Sequence, residues 1–153
     1  MRIIIMRHGD AKFFEADRIL SDIGIAQAHQ TARKLVSQYT INKVFSSPKT
    51  RAFDTAKIVC EHIKGDIAIT TLRDLCPSGN PCDVIDYIKA VCDDNDTVLL
   101  LSHIPLVENL AFYLLHNFKI QPFVTASALV LDLIDDKAKT LAFLSPDGEI
   151  MYT

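Results

Sequence analysis

The side chains best suited to chemistry in this chain are two histidines and several arginines, each set beside small or turn-forming residues. They occur in Arg7-His8-Gly9, in Ser46-Ser47-Pro48 with Arg51, in Arg73-Asp74 and in Ser102-His103. A guanidinium forms paired, charge-assisted hydrogen bonds to phosphate oxygens, and its planar fork matches their geometry. A neutral imidazole offers one ring nitrogen as nucleophile or base while the other donates a hydrogen bond. Arginines and histidines brought together would therefore suit a dianionic phosphate.

Each of these segments follows an apolar run, so the elements around them decide whether they meet. Residues 2–6 form a continuous run rich in Ile, as in a central strand buried on both faces. Residues 24–38 place Ile25, Ala28, Ala32, Leu35 and Val36 at helical spacing, with Ser21 or Asp22 as N-cap. A strand at 43–45 precedes a helix over about 49–63, and Ile67-Ala68-Ile69 reads as a third strand. Asp74 to Pro81 is a turn-rich loop, followed by a helix at about 82–92 that Asp93-Asp94-Asn95-Asp96 breaks. Thr97–Leu101 is the second continuous apolar run, and Pro105 suits the first turn of a helix carrying Leu106, Val107, Leu110, Ala111 and Leu114. Residues 128–133 and 140–144 read as strands of a hairpin turned at Asp135-Asp136-Lys137. This alternation predicts an α/β fold, a three-layer α/β/α sandwich with a mostly parallel central sheet, in one domain over 1–153. Ligands in such sheets bind beyond the carboxyl ends of the strands, where all four segments fall. Helices starting there add free N–H groups and their positive dipole ends.

The whole-chain numbers exclude several classes. With 49% hydrophobic and 23% charged residues over 153 positions, the chain is ordinary for a globular domain. A net charge of −3 gives no general basic footprint, so nucleic acid is not an expected partner. The apolar start at Met1–Met6 is too short for a signal peptide or membrane span, and the expectation is a cytoplasmic monomer with no membrane partner. Cys60, Cys76, Cys82 and Cys92 form no C-x-x-C pair and read as reduced, non-catalytic thiols. Cys60 and Cys92 fit helical cores, whereas Cys76 and Cys82 flank a turn. No metal and no cofactor is called for, so activity is expected to survive a chelator.

Arg7-His8-Gly9 after an N-terminal strand resembles the signature of the histidine phosphatase superfamily, the phosphoglycerate mutase and acid phosphatase group. Ser47-Pro48-x-x-Arg51-Ala52 resembles its second phosphate-binding segment, and Ser102-His103 its second histidine. Leu20-Ser21-x-x-Gly24-x-x-Gln27-Ala28 matches a pattern that opens the first long helix. Within the superfamily the chain is most similar to the small SixA-type phosphohistidine phosphatases. Met6-Arg7-His8-Gly9-Asp10, Arg18-x-Leu20-Ser21, Asp74-Leu75-x-Pro77-x-Gly79, Ser102-His103-x-Pro105-Leu106-Val107 and Thr125-Ala126-Ser127-Ala128 carry that likeness, in order, from residue 1 to about 128.

The resemblance implies a phosphoglycerate mutase-like fold without a large cap insertion, and a role for each site residue. His8 would attack phosphorus and become phosphohistidine; Arg7, Arg51 and His103 would hold the phosphate oxygens. Arg18 matches an arginine near the phosphate, here placed on a loop. Asp74 aligns with a glutamate that protonates the leaving oxygen in many members, although plain solvation of a shorter aspartate competes with that role. Gly9 and Ser47 would shape the pocket without chemical roles. A solvated helix arginine competes for Arg51 and a capping role for His103, while for Lys12 and Lys49, which flank the motif loops, plain solvation outweighs a role as rim charges.

Only Asp74–Pro81 and residues 117–127 could form a lip, and so open a pocket suits a phosphohistidine on a protein. By resemblance that partner is a histidine-containing phosphotransfer domain, and inorganic phosphate is the product ion. A small-molecule phosphomonoesterase or mutase of the same superfamily is the alternative, with a non-catalytic phosphate-binding module behind it.

Overall fold

A computed structural model describes residues 1–116 and 121–152. A seven-stranded sheet forms the middle layer. Its parallel half consists of β1 (Arg2–Arg7), β4 (Lys43–Ser46), β5 (Ile69–Thr71) and β6 (Thr97–Ser102). Its antiparallel half is β7 (Ala128–Ile134), β8 (Lys137–Ser145) and β9 (Gly148–Met151). The spatial order β5-β4-β6-β1-β7-β8-β9 makes the sheet mixed, with β1 joining the two halves. The four helices are α1 (Asp22–Gln38), α2 (Thr50–Glu61), α3 (Pro81–Val91) and α4 (Leu106–Leu115).

The three layers follow from how β1 divides its side chains. Ile3 and Ile5 enter one core with Val84 and Ile88 of α3 and Leu106 and Leu110 of α4. Ile4 and Met6 enter the other with Ala32 and Leu35 of α1 and Ala56 and Val59 of α2. All four β1 side chains are fully buried. At about 1.5–3 kcal/mol for each large apolar side chain, this strand holds the layers together.

Helix starts obey local chemistry. Ser21 caps α1 by accepting the Gly24 N–H, and Asn80 caps α3 ahead of Pro81. Pro105 stands at the N-cap of α4. Asp135 and Asp136 both take positive φ, so the β7–β8 hairpin has the two-residue turn favoured by strand twist.

Two expectations need correction. The strand placed at 67–69 lies at Ile69–Thr71, because pairing with β4 sets Ile69 opposite Val44 and Thr71 opposite Ser46. The segment carrying Arg18 is no loop. It forms a separate hairpin of β2 (Ala11–Phe14) and β3 (Asp17–Leu20). Edge strand β9 was also unforeseen. Of the expected lip at 117–127, residues 117–120 lie outside the described residues.

Candidate active site

Strand register builds the site. In β1 and β6, Arg7 lies opposite Ser102; in β4 and β6, Ser46 lies opposite Leu101. The strands therefore end at nearly the same level, and the next residues, His8, Ser47 and His103, emerge side by side. Backbone hydrogen bonds extend the ladder one step further, from His8 N–H to Ser102 O at 3.1 Å and Ser47 N–H to Leu101 O at 3.0 Å. On the other side of β1, Ala126 N–H donates to His8 O and Arg7 N–H to Ser127 O, which explains the Thr125–Ala128 segment.

His8 is 4% exposed. Its Nδ1 lies 2.7 Å from Gly9 O, an acceptor only, so Nδ1 carries the proton and Nε2 the lone pair. Arg51, in the first turn of α2, donates Nε–H to that Nε2 at 3.4 Å. His103 is 1% exposed, and its ring centroid lies 5.1 Å from that of His8. His103 Nε2 is 2.8 Å from Ser47 Oγ, while Nδ1 is buried without a partner. Arg7 donates to Phe123 O at 2.8 Å, and the Nε atoms of Arg7 and Arg18 are buried and unpartnered. Buried donors without a protein partner suit the binding of an oxyanion.

The loop after β1 is gripped by residues whose purpose was only partly visible beforehand. Asp10 accepts from Ser21 Oγ at 2.6 Å, and its N–H donates to Gln27 Oε1 at 2.9 Å. A Cβ on Gly24 would lie 2.0 Å from Asp10 O, so the Gly24-x-x-Gln27 pattern exists to let α1 touch this loop. Thr55 was missed altogether. Its hydroxyl donates to Arg51 O at 2.7 Å and accepts Gly9 N–H at 3.1 Å, joining the His8 loop to the Arg51 helix. Its position four residues after Arg51 was the available signal. Cys76 lies 3.8 Å from Ser47 Oγ and so borders the site instead of merely flanking a turn.

Arg18 belongs to this constellation electrostatically, since it helps depress the pKa of His8, His103 and Arg51. Lys49 is exposed at the N-cap of α2, and Lys12 is exposed on β2. Asp74 opens a one-turn 3-10 helix, Arg73–Leu75, which Ser102 Oγ ties to β6 through Leu75 O. It is half-buried, and its carboxylate has no hydrogen-bond or ion-pair partner among the described residues. The geometry thus unites His8, Arg7, Arg51, His103, Ser47 and Gly9, and leaves the Asp74 side chain without a hydrogen bond to either histidine.

Burial, and next the neighbouring arginines, push His8 down to about 4 and His103 down to about 3. Both rings are neutral near pH 7, as a nucleophilic imidazole requires. In the unfolded chain each titrates near about 6.5. As pH falls below that value the unfolded chain binds protons that the fold refuses, so stability declines until the folded pKa is reached. The melting temperature is expected to drop between pH 6.5 and 4, and less steeply in His8→Asn. Identical slopes for the two proteins in a thermal-denaturation series would contradict this.

A family model described as the histidine phosphatase superfamily (branch 1) matches residues 3–76. Phosphohistidine phosphatase SixA of Escherichia coli (strain K12) is 31% identical over 141 residues, covering 89% of this chain and 87% of that protein. The chain belongs to the histidine phosphatase superfamily. A SixA homolog of Haemophilus influenzae is 27% identical over 164 residues and is covered over 99% of each chain. The solved structure of the protein histidine phosphatase SixA complexed with tungstate superposes with a TM-score of 0.88 at 29% identity, over 95% of this chain and 97% of that one. As in that relative, a mixed sheet between helical layers carries the fold, with no large insertion. A SixA-like member of the superfamily is a phosphatase, hence a hydrolase.

Proposed function

We propose that this phosphatase removes the phosphoryl group from a phosphohistidine displayed on a protein, a histidine-containing phosphotransfer domain, through a covalent intermediate on His8. The observation that supports this most is His8 itself: Nδ1 is locked on Gly9 O, and Nε2 keeps its lone pair toward the Arg51 Nε–H.

His8 Nε2 attacks phosphorus as the P–N bond of the substrate imidazole breaks, and the departing ring nitrogen takes up a proton from solvent. Arg7, Arg18, Arg51 and His103 hold the oxygens over which charge spreads. The orphaned Nδ1 of His103 donates to one oxygen when the Ser47 hydroxyl donates to Nε2 and leaves the ring proton on Nδ1. Water then attacks the phosphorus, the P–Nε2 bond breaks, and inorganic phosphate leaves. Asp74 and His103 are the groups available to orient that water. An imidazole leaving group asks little of an acid, which suits an aspartate with no hydrogen bond to the histidines. Gly9 and Ser47 position the two rings. The reading needs no metal, and it places a monomer in the cytoplasm, in keeping with four free thiols.

Turnover of a phosphorylated phosphotransfer domain should exceed that of sugar and aryl phosphates by kcat/KM. Faster hydrolysis of the small esters would replace this substrate with the small-molecule alternative.

A further inference from the structure

Three separate segments that carry or contact site residues also carry exposed apolar side chains. Phe13 on β2 is 82% exposed and pairs across the hairpin with Arg18, whose guanidinium lies over its ring, 5.6 Å from the centroid. Phe14 follows at 56%. Ile104 is exposed directly after His103, and Val124 directly after Phe123, whose carbonyl Arg7 binds. Lys12, on the same strand as Phe13, and Lys49 are also exposed, in a chain whose net charge is −3.

A phosphate ion or a sugar phosphate has no use for two solvent-facing phenyl rings. Exposed aromatic side chains cost solubility, and a cluster of them beside arginines is the usual composition of a protein-binding surface. The hairpin is also preorganised. A two-stranded sheet is marginal by itself, but Leu20 packs with Ala28 and Ile58, and Thr50 Oγ1 donates to Asp17 Oδ2 at 2.6 Å. Phe13 and Phe14 are thus held out on a fixed arm, which lowers the entropy lost on binding.

We infer that the Phe13–Phe14 hairpin, with Ile104 and Val124, is the docking surface for the phosphorylated protein, whose phosphohistidine lies among apolar and acidic side chains. The inference rests on the phosphohistidine-protein reading above. Charge selects this occupant. The cationic rim attracts an acidic surface and repels a second copy of itself, while Glu15 at the hairpin turn disfavours an anionic membrane.

The test is a Phe14→Ser variant, which leaves the Phe13–Arg18 contact in place, assayed on two probes, a phosphotransfer domain carrying phosphohistidine and free phosphohistidine. The expected result is a loss of about tenfold or more in kcat/KM for the protein, mainly through KM, with free phosphohistidine unchanged. Val124→Ser, on a different segment, should give a smaller loss of the same kind. An unchanged rate on the protein, or equal losses on both probes, would overturn the docking role while leaving the substrate reading intact. So would loss of binding to anionic vesicles in the variant with its protein kinetics preserved. Failure of the substrate reading shows separately, as wild-type enzyme that prefers small esters.

Discussion

Replacing His8 with alanine should lower turnover by about 10⁴-fold or more, the scale on which a covalent nucleophile is missed. The size of the effect follows from the absence of a substitute. His103 is the other nearby imidazole, but its Nε2 is engaged by Ser47, and its unpartnered Nδ1 is buried. Arg7, Arg18 and Arg51 remain in the variant, so an oxyanion such as tungstate should still bind. Added imidazole, placed in the cavity left by the side chain, should restore part of the rate. Retained turnover in His8→Ala without imidazole would remove His8 from the chemistry.

Arg51→Ala is expected to cost about 10²–10³ in kcat/KM, equivalent to about 2.7–4 kcal/mol of lost charge stabilisation. Arg51 acts in two ways. Its guanidinium supplies donors to the phosphoryl oxygens, and its Nε–H faces the lone pair of His8. It also helps hold both histidines neutral, so its removal should raise their pKa values. The acid limb of the pH-rate profile therefore moves to higher pH in Arg51→Ala. Arg51→Lys should recover the electrostatic part but not the paired hydrogen bonds of the planar fork. A kcat/KM within threefold of wild type would show Arg51 to be a solvated helix arginine after all.

The chemistry was more legible in the chain than the devices that hold it. Central strands β1 and β6 bury both faces, so each appears as an unbroken apolar run, and the polar residues just beyond them stand out. That signal suffices for His8 and His103. The β2–β3 hairpin has no such mark. Ala11-Lys12-Phe13-Phe14 does not alternate cleanly, its turn at Glu15 reaches positive φ without glycine, and most of its surface is exposed. Local patterning cannot reveal a hairpin whose stability comes from distant Ala28, Ile58 and Thr50. Strand β5 slipped by two residues for a related reason, since its register is chosen by β4 rather than by its own apolar run. Thr55 looks like any helix threonine until the fold sets it between Gly9 N and Arg51 O. Asp74 could be placed by resemblance, but its reach depends on a 3-10 turn that the sequence does not announce.

The central claim is that the phosphoryl group passes through Nε2 of His8, and trapping it there is the most direct measurement. Enzyme mixed with a phosphohistidine substrate, quenched in alkali and digested, should yield a peptide spanning residue 8 that bears one alkali-stable, acid-labile phosphoryl group. That peptide should be absent from His8→Ala. A phosphoryl group mapped to His103 or any other residue, or full turnover with no phosphopeptide under rapid quench, would contradict the account.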